Sequence, residues 1–550
     1  MEKLQTTAYF SMEIALQDAI PNYAGGLGIL AGDTLHSCAD LGSDVVGVSL
    51  IYHQSEEEGK MFNAEEFLTL HDEIVEVEIE GRNVKIMLWE LALKGRSEKS
   101  IPIIFLSSNH PDNKKWDRDL TKYLYAADRY TRLGQELILG IAGVRALEIL
   151  GYNKLDTYHM NEGHSSLLTL ELLKKHNHDA KKVRDLCTFT THTPVPAGHD
   201  HFEYKLAYST IHKALPLEIK EYATYEDLST TDLALNLSRV SNSVSAKHRE
   251  VCEGMFPRHD FENVTNGIYH PRWVGGEIKT LLDEAFAGWE EKPELLKDTT
   301  EKIDSQAIVA AHKKQKHELV DWLNSRKELF PFEKIEDDDS FGVKTLTIGF
   351  ARRYVPYKRH TLIFKDMERL RNMGYRKIQL IFAGNCHEGD SFCNQIKQEV
   401  ERYSHMLRGQ IRVAILTEYN IEVAKKLITG CDVWLNNPIP PREASGTSGM
   451  KAALNGGLNL SILDGWWIEG YNMNKKAGWA FGNEAFSEGE DQDAHDSKAL
   501  LVQLEDLIDC YYNRTDEWAE RMKNAISLVG HFNTHRLVNE YQEKIWTPKN

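Results

Sequence analysis

The chain has no apolar run approaching the length needed to cross a bilayer, which argues against a helical membrane span. Positive charge is in deficit: 65 Lys and Arg stand against 83 Asp and Glu, a formal net charge of −18. That balance argues against general nucleic-acid binding. It also makes any local cluster of cations informative, because such a cluster opposes the field of the whole chain. Cysteine is sparse. Cys38, Cys187, Cys252, Cys386, Cys393, Cys431 and Cys510 fall without paired spacing, the usage of a reduced, cytoplasmic protein. A signal peptide is not expected either, since Met-Glu-Lys-Leu-Gln-Thr-Thr leads straight into a strand-like segment. No short-period repeat is present.

What the chain does have is length and apolar content for large cores: 550 residues, enough for roughly three to four average domains or for two large ones. Residues 8–13, 44–52 and 101–106 read as buried strands, and 73–94 as a hairpin around Glu80-Gly81-Arg82-Asn83. Residues 119–150 are helical in spacing. Two short strands follow, each ending in polar residues: 157–164, with His159, Glu162 and His164, and 188–194, with His192. Alternating strands and helices predict a doubly wound parallel sheet whose ligands sit beyond the carboxyl ends of its strands. That places His159, Glu162, His164 and His192 towards a cleft.

Residues 205–260 read as helical and polar, and Phe261 to Ile268 as a strand and turn. The domain change is placed just after Asn266, giving an N-terminal Rossmann-like domain over 1–271 and a C-terminal one over 272–550. Charged amphipathic helices open the second domain and an acidic loop covers 336–340. Strands then recur at 344–350, 378–383, 411–416 and 432–435. The fold class expected is therefore α/β, two doubly wound domains facing a cleft. The last helix, near 536–546, is expected to fold back on the first domain.

Residues 442–457, Arg-Glu-Ala-Ser-Gly-Thr-Ser-Gly-Met-Lys-Ala-Ala-Leu-Asn-Gly-Gly, form the most informative stretch. A small-residue loop feeding a helix start offers unpaired N–H groups and the positive end of the helix dipole to a phosphate. Ser445, Thr447 and Ser448 add hydroxyl donors. Lys451 is either a phosphate counter-ion or a Schiff-base amine. An ordinary capping loop with a solvated lysine explains the same residues about as well. No Gly-Lys-Ser/Thr closes the loop, which disfavours nucleoside triphosphates. A second glycine-rich loop, Gly25-Gly26-Leu27-Gly28, precedes a helix near the N-terminus and suits either tight packing or a close ligand. The strand at 344–350 ends in Arg352, Arg353, Lys358 and Arg359, four cations in eight residues, where arginine forks suit tetrahedral phosphate. A zinc site from His159, His164, His192, His199 and His201 is disfavoured, because no cysteine or carboxylate completes a set.

Together Glu443-Ala-Ser-Gly-Thr-Ser-Gly-Met-Lys451 with Asn455-Gly456, and the segments 22–28, 161–164, 191–193, 265–267 and 352–359, resemble the active-site segments of the α-glucan (glycogen, starch, maltodextrin) phosphorylases, in the same order. Gly465-Trp466-Trp467 after Leu463-Asp464 resembles the short, bacterial-type branch. The resemblance implies a glycosyltransferase-B fold and pyridoxal 5'-phosphate held as a Schiff base on Lys451. Thr447, the Ser448 backbone, Gly26 and Arg352 would surround the cofactor phosphate, with Tyr419 near its ring. Arg353 and Lys358 would hold the substrate phosphate. Glu443, Ser445, Gly446, Asn266 and His192 would grip the sugar hydroxyls, with Leu27 and Tyr357 beside them and Glu162 and His164 on the far wall.

The implied reaction is reversible phosphorolysis of an α-1,4-glucan to glucose 1-phosphate with retention, the cofactor phosphate relaying a proton and Lys451, Arg352, Arg353, Lys358 and His192 forming the catalytic set. The implied partners are glucan, orthophosphate and a second copy of the chain. Two residues depart from the family pattern: Arg352 stands where lysine is usual, and Asn420 where an arginine is usual. The long N-terminal extension of the regulated enzymes is missing, so no phosphorylation switch is expected. Competing readings are a nucleotide-sugar glucan synthase on the same fold, a pyridoxal transaminase, for which no acidic partner of the ring nitrogen is evident, and a non-catalytic glucan-binding protein.

Overall fold

The computed structural model describes residues 6–53, 62–97, 99–326, 340–385, 391–482 and 491–548. Contacts divide the chain into two units, Met1–Tyr269 with Thr534–Asn550, and His270–Asn533. The acidic loop expected at 336–340 lies, except for Ser340, outside the described residues.

The first unit is built on a nine-stranded sheet. Its strands are β1 (Thr7–Phe10), β2 (Val45–Leu50), β3 (Thr69–Ile79), β4 (Arg82–Lys94), β5 (Ser100–Ser107), β6 (Thr157–Asn161), β7 (Cys187–Thr190), β10 (Val240–Ser243) and β11 (Phe261–Asn263). The short β8 (His201–Glu203) and β9 (Asp227–Ser229) pair separately. The order is β11-β10-β7-β6-β1-β2-β5-β4-β3. Pairing is parallel from β11 to β5, and antiparallel through β4 and β3. The expected hairpin is β3–β4, turned by Glu80 and Gly81, both at positive φ.

Because β1 and β2 are buried on both faces, their alternate residues feed two cores. Ala8, Phe10, Val46 and Val48 pack with the helical layer around Ile138–Leu147. Tyr9, Val45, Ile103 and Phe105 pack against Leu537, Val538, Tyr541, Ile545 and Trp546 of the C-terminal segment. Two expectations are corrected here. Residues 205–260 are not helical throughout, for β10 reads Val-Ser-Asn-Ser and is held by buried polar side chains, a composition that hides a strand. His159 faces no cleft: it lies in β6, fully buried, with its ring against Tyr9, Tyr541 and Trp546.

The second unit carries a six-stranded sheet, β12 (Leu346–Ala351), β13 (Ile378–Ala383), β14 (Arg412–Leu416), β15 (Val433–Asn436), β16 (Leu458–Ile462) and β17 (Gly478–Phe481), in the order β14-β13-β12-β15-β16-β17. Every pairing is parallel. Helices fill the crossovers, so the strands read as continuous apolar runs. Lys316 and His312 of the helix Ser305–Ser325 are buried against Asp432, at the foot of β15, and tie that helix to the sheet.

No helix among the described residues is long and apolar enough to cross a membrane. Cys38, Cys187, Cys252, Cys431 and Cys510 are free and buried. Cys393 is disulfide-bonded, which corrects the expectation of unpaired cysteines; Cys386 lies outside the described residues. Bridging depends on where the backbone brings two Cβ atoms, and spacing along the chain does not report that.

Candidate functional site

In the second unit the chain builds β12, β13 and β14 outward, then crosses back to lay β15 on the other side of β12. Ligands of open parallel sheets bind beyond the carboxyl ends of the strands at such a reversal. The loops leaving that point are 352–359 after β12 and 437–447 after β15, and they hold the cations and the small-residue motif singled out from the sequence.

Arg352 and Lys358 both donate to Glu443 Oε2, at 2.7 and 2.5 Å. All three side chains are buried. Burial alone would raise the Glu443 carboxyl, but Lys358 and then Arg352 outweigh it and hold the group down at about 2. The ammonium of Lys358 also lies 4.6 Å from the centroid of the half-buried Tyr357 ring. Arg352 keeps a buried Nε, and Ser445 a buried Oγ, with no hydrogen-bond partner among the described residues. A buried polar atom without a partner calls for an explanation, and a bound anion or sugar would supply one here. Arg353 is exposed.

Arg359 belongs to the same cationic run but not to this cluster. With φ at +53° it turns away. It donates to Asp496 and Asp493 and to the carbonyls of Asn437 and Pro438. Asn437 Nδ2 returns a bond to the Arg359 carbonyl. One of the four cations therefore bolts the 437–447 loop to the 352–359 loop.

From below, the turn after β16 grips the same loop. Asp464 accepts the Glu443 N–H on Oδ2 and the Gly465 N–H on Oδ1, each at 2.9 Å. The Trp466 N–H donates to the Ser445 carbonyl. Gly465 sits at φ +54°, and a Cβ there would lie 2.4 Å from the Ser445 oxygen, so only glycine fits. Burial pushes the Asp464 carboxyl up to about 7, its backbone donors pull it down in part, and the Glu443 charge adds to the rise. The sequence reading takes Asp464 only as a landmark; nothing in its neighbours marks a carboxylate that acts on a residue 21 positions earlier.

Gly446, at φ +87°, leads into the helix Ser448–Leu454, with Thr447 at its cap. Ser448 Oγ accepts from Trp434 Nε1 on β15. Lys451 is buried one turn in, with its Nζ 3.8 Å from the centroid of the Trp273 ring. Asn455 fixes that face, donating to the carbonyls of Lys451 and Trp273 and accepting from Gly275 N. Tyr419, half-buried, has its backbone N–H and carbonyl both paired with the Asn385 amide. Asn420 caps the helix Ile421–Gly430, its Oδ1 accepting from Val423 N at 3.0 Å.

The first unit repeats the reversal at β1, which is flanked by β2 and β6. In the loop after β1, Glu13 is buried and accepts the N–H groups of Ala24 and Gly25 and the hydroxyl of Tyr125. This carboxylate shapes the glycine-rich turn, and a Cβ on Gly28 would lie 2.7 Å from its oxygen. Gly26, with open space beside it, and the half-buried Leu27 begin the helix Gly26–Leu41, which has no side-chain cap.

After β6, Glu162 stands at φ +77°. Its oxygens accept from Gly163 N, His192 N, Thr193 Oγ1 and, at 3.4 Å, Thr191 Oγ1. It therefore fixes the 191–193 loop. Asn161 donates to Ser11 Oγ and presents its oxygen to His192 Nε2 at 2.7 Å. Burial, with His248 and His164 nearby, holds the His192 pKa down at about 3. The ring is neutral, donates through Nε2 and keeps Nδ1 as an acceptor. His164 is set the other way: Arg132 donates to its Nε2 at 3.0 Å, so its proton is on Nδ1, which is buried with no partner among the described residues. Asp200 aligns Arg132 at 2.9 Å. The sequence reading missed Glu13, Arg132 and Asp200, whose local patterns match those of any charged surface residue. Asn266, after β11, is buried, and its Oδ1 has no hydrogen-bond partner among the described residues. Among the described residues no group of three or more His, Cys, Asp or Glu is placed so that it could hold a metal ion.

Residues 212–500 match the carbohydrate phosphorylase family model. A maltodextrin phosphorylase of Thermococcus litoralis is 35% identical, over 98% of this chain and 70% of that protein. A glycogen phosphorylase of Aquifex aeolicus is 32% identical, over 98% of this chain and 86% of that protein. An uncharacterized protein of Methanocaldococcus jannaschii, MJ1631, is 29% identical over 99% of this chain and 100% of its own length.

Proposed function

This chain belongs to the carbohydrate phosphorylase family, and from that premise we propose that it is an α-1,4-glucan phosphorylase, a glycosyltransferase on a glycosyltransferase-B fold of two Rossmann-like domains. The reaction moves a terminal glucosyl group from a glucan oxygen to orthophosphate. The C1–O4 bond breaks, a C1–O bond to phosphate forms with retained configuration, and the freed O4 takes a proton that the phosphate supplies. The reverse run extends the glucan. The partners on this reading are a maltodextrin or glycogen end, orthophosphate and a second copy of the chain.

The observation that carries the reading is the buried convergence of Arg352 and Lys358 on Glu443 at the strand reversal. Arg352 keeps an open Nε, and the fork of an arginine with a lysine point charge suits a tetrahedral dianion. Arg353, exposed on the same loop, adds charge for the incoming phosphate. Glu443 stays ionised and accepts sugar hydroxyls beside Ser445 Oγ and Gly446. In the first unit, His192 Nδ1, Asn266 Oδ1 and the backbone at Leu27 offer further sugar contacts. Glu162 and His164 act at one remove: Glu162 holds the 191–193 loop, and His164 offers its open N–H.

The residues also fit pyridoxal 5'-phosphate. Lys451 is a buried amine beside an indole face; on this reading Thr447, the Ser448 N–H and Arg352 would hold the cofactor phosphate, with Tyr419 near its ring and Gly26 a further cofactor residue that family membership implies. Bound through Lys451, the group supplies a phosphate that exchanges a proton near neutral pH. The test is release of glucose 1-phosphate from maltodextrins by the purified protein. Product that depends on added orthophosphate supports the reading. Transfer that needs a nucleotide sugar instead, or glucan binding without turnover, overturns it.

A further inference from the structure

Asp464 has no proposed ligand of its own, yet it is 1% exposed and bonds the backbone of the loop that carries Glu443. Its two oxygens are committed to backbone, one to Glu443 N–H and one to Gly465 N–H. Glu443 in turn is the shared acceptor of Arg352 and Lys358. A single side chain thus links the backbone of the anion-binding loop to the turn after β16. The charged groups facing Asp464 are Glu443 and Lys358 of the two loops above it, with Arg352 reached through Glu443.

We propose that Asp464 is a positioning residue for Glu443, and that its own charge sets how tightly the Arg352–Lys358 pair holds an anion. With Asp464 protonated, one carboxylate, Glu443, opposes two cations, and the cluster has charge to spare for a phosphate or sulfate. When Asp464 ionises, a second carboxylate enters the same poorly screened pocket and the spare charge falls. Burial pushes the Asp464 carboxyl up to about 7, so the change falls near neutral pH. The inference rests on reading Arg352 and Lys358 as the anion site.

Orthophosphate titrates in the same range and would mask the effect. Sulfate keeps its charge from pH 6 to 8.5 and is the cleaner probe. In the wild-type holoenzyme, sulfate inhibition competitive with orthophosphate is expected to weaken roughly three- to tenfold as pH rises through about 7. In Asp464→Asn, which keeps a carbonyl acceptor, and in Asp464→Ser, which keeps a hydroxyl, the inhibition constant is expected to stay flat over that range. The KM for orthophosphate should then move more than kcat. A wild-type constant that does not change with pH, or variants that retain the wild-type slope, overturns the proposal. If neither variant folds, the wild-type profile decides alone. Phosphorolysis with no sulfate inhibition at any pH would instead overturn the placement of the anion site, a different failure from loss of the pH slope.

Discussion

The Arg352 guanidinium and the Glu443 carboxylate meet at 2.7 Å across 91 residues of sequence, with both side chains buried. The pair does not close on itself, since Lys358 takes the same oxygen. With Asp464 protonated, two cations share one anion, a locally positive cluster inside a protein of net charge −18. Removing Glu443 leaves both cations buried without their shared acceptor. Glu443→Ala should lose about 3 kcal/mol of stability, measured by urea unfolding. Added orthophosphate should restore part of it, and by more than it stabilises the wild type, because it replaces the missing charge.

Lys451→Ala should abolish the near-ultraviolet and visible absorbance of bound pyridoxal 5'-phosphate, together with phosphorolysis. Borohydride treatment of the wild type should add the cofactor's mass irreversibly to the peptide containing Lys451. Mass spectrometry that finds the label on another lysine contradicts the assignment.

Asn420 holds a helix end: its side chain caps Ile421–Gly430. Asn420→Ala should cost about 1 kcal/mol in denaturant unfolding and leave the KM for orthophosphate within about twofold. Asn420→Asp, which keeps the cap, should restore the stability. A large rise in that KM with unchanged stability would make Asn420 a ligand residue.

Acid should unfold this protein early. Burial holds His159, His164, His192 and His360 at about 3, and His248 at about 4, against an ordinary value of 6.5. The unfolded chain binds those protons first, so stability falls as pH drops from 6.5 towards 3, by up to about 1.4 kcal/mol per pH unit for each ring. Glu443, depressed from 4.5 to about 2, contributes stability that is full above 4.5 and is lost as pH falls through 2. Urea midpoints measured from pH 7.5 to 5 should fall steadily below 6.5, with a shallower slope in His159→Phe.

The parts legible in the sequence were those encoded by neighbours in the chain. β13 was expected over the residues it occupies, Ile378–Ala383, because six consecutive buried positions leave an unbroken apolar run. β10 was not seen, because a strand held by Thr190–Asn242 and Asn242–Ser243 hydrogen bonds carries no hydrophobic period. The same limit applies to the site. The 442–457 motif and the cationic run were visible as stretches, and Lys451 stood out by its place after the loop. The fates of Lys358 and Arg359, one residue apart, were not visible: one joins Glu443 and the other turns to Asp496. A left-handed φ at Arg359 decides this, and nothing in the side chains announces it. The Arg132–His164 pairing, which fixes a proton on one ring nitrogen, likewise depends on a fold that brings residues 32 positions apart into contact.

The segment Thr534–Trp546 supplies Leu537, Tyr541 and Trp546 to the core beneath β1, and the Trp546 carbonyl is held by Thr157 and Arg239. The unit that holds β1 to β11 is thus missing one wall until residues 534–546 have been translated. On the ribosome the second-made unit has all its strands and helices available first. The earlier-made sheet must wait, with its Tyr9 face bare, for a stretch synthesised some five hundred residues later, and a nascent chain stalled before residue 534 would offer that face to chaperones.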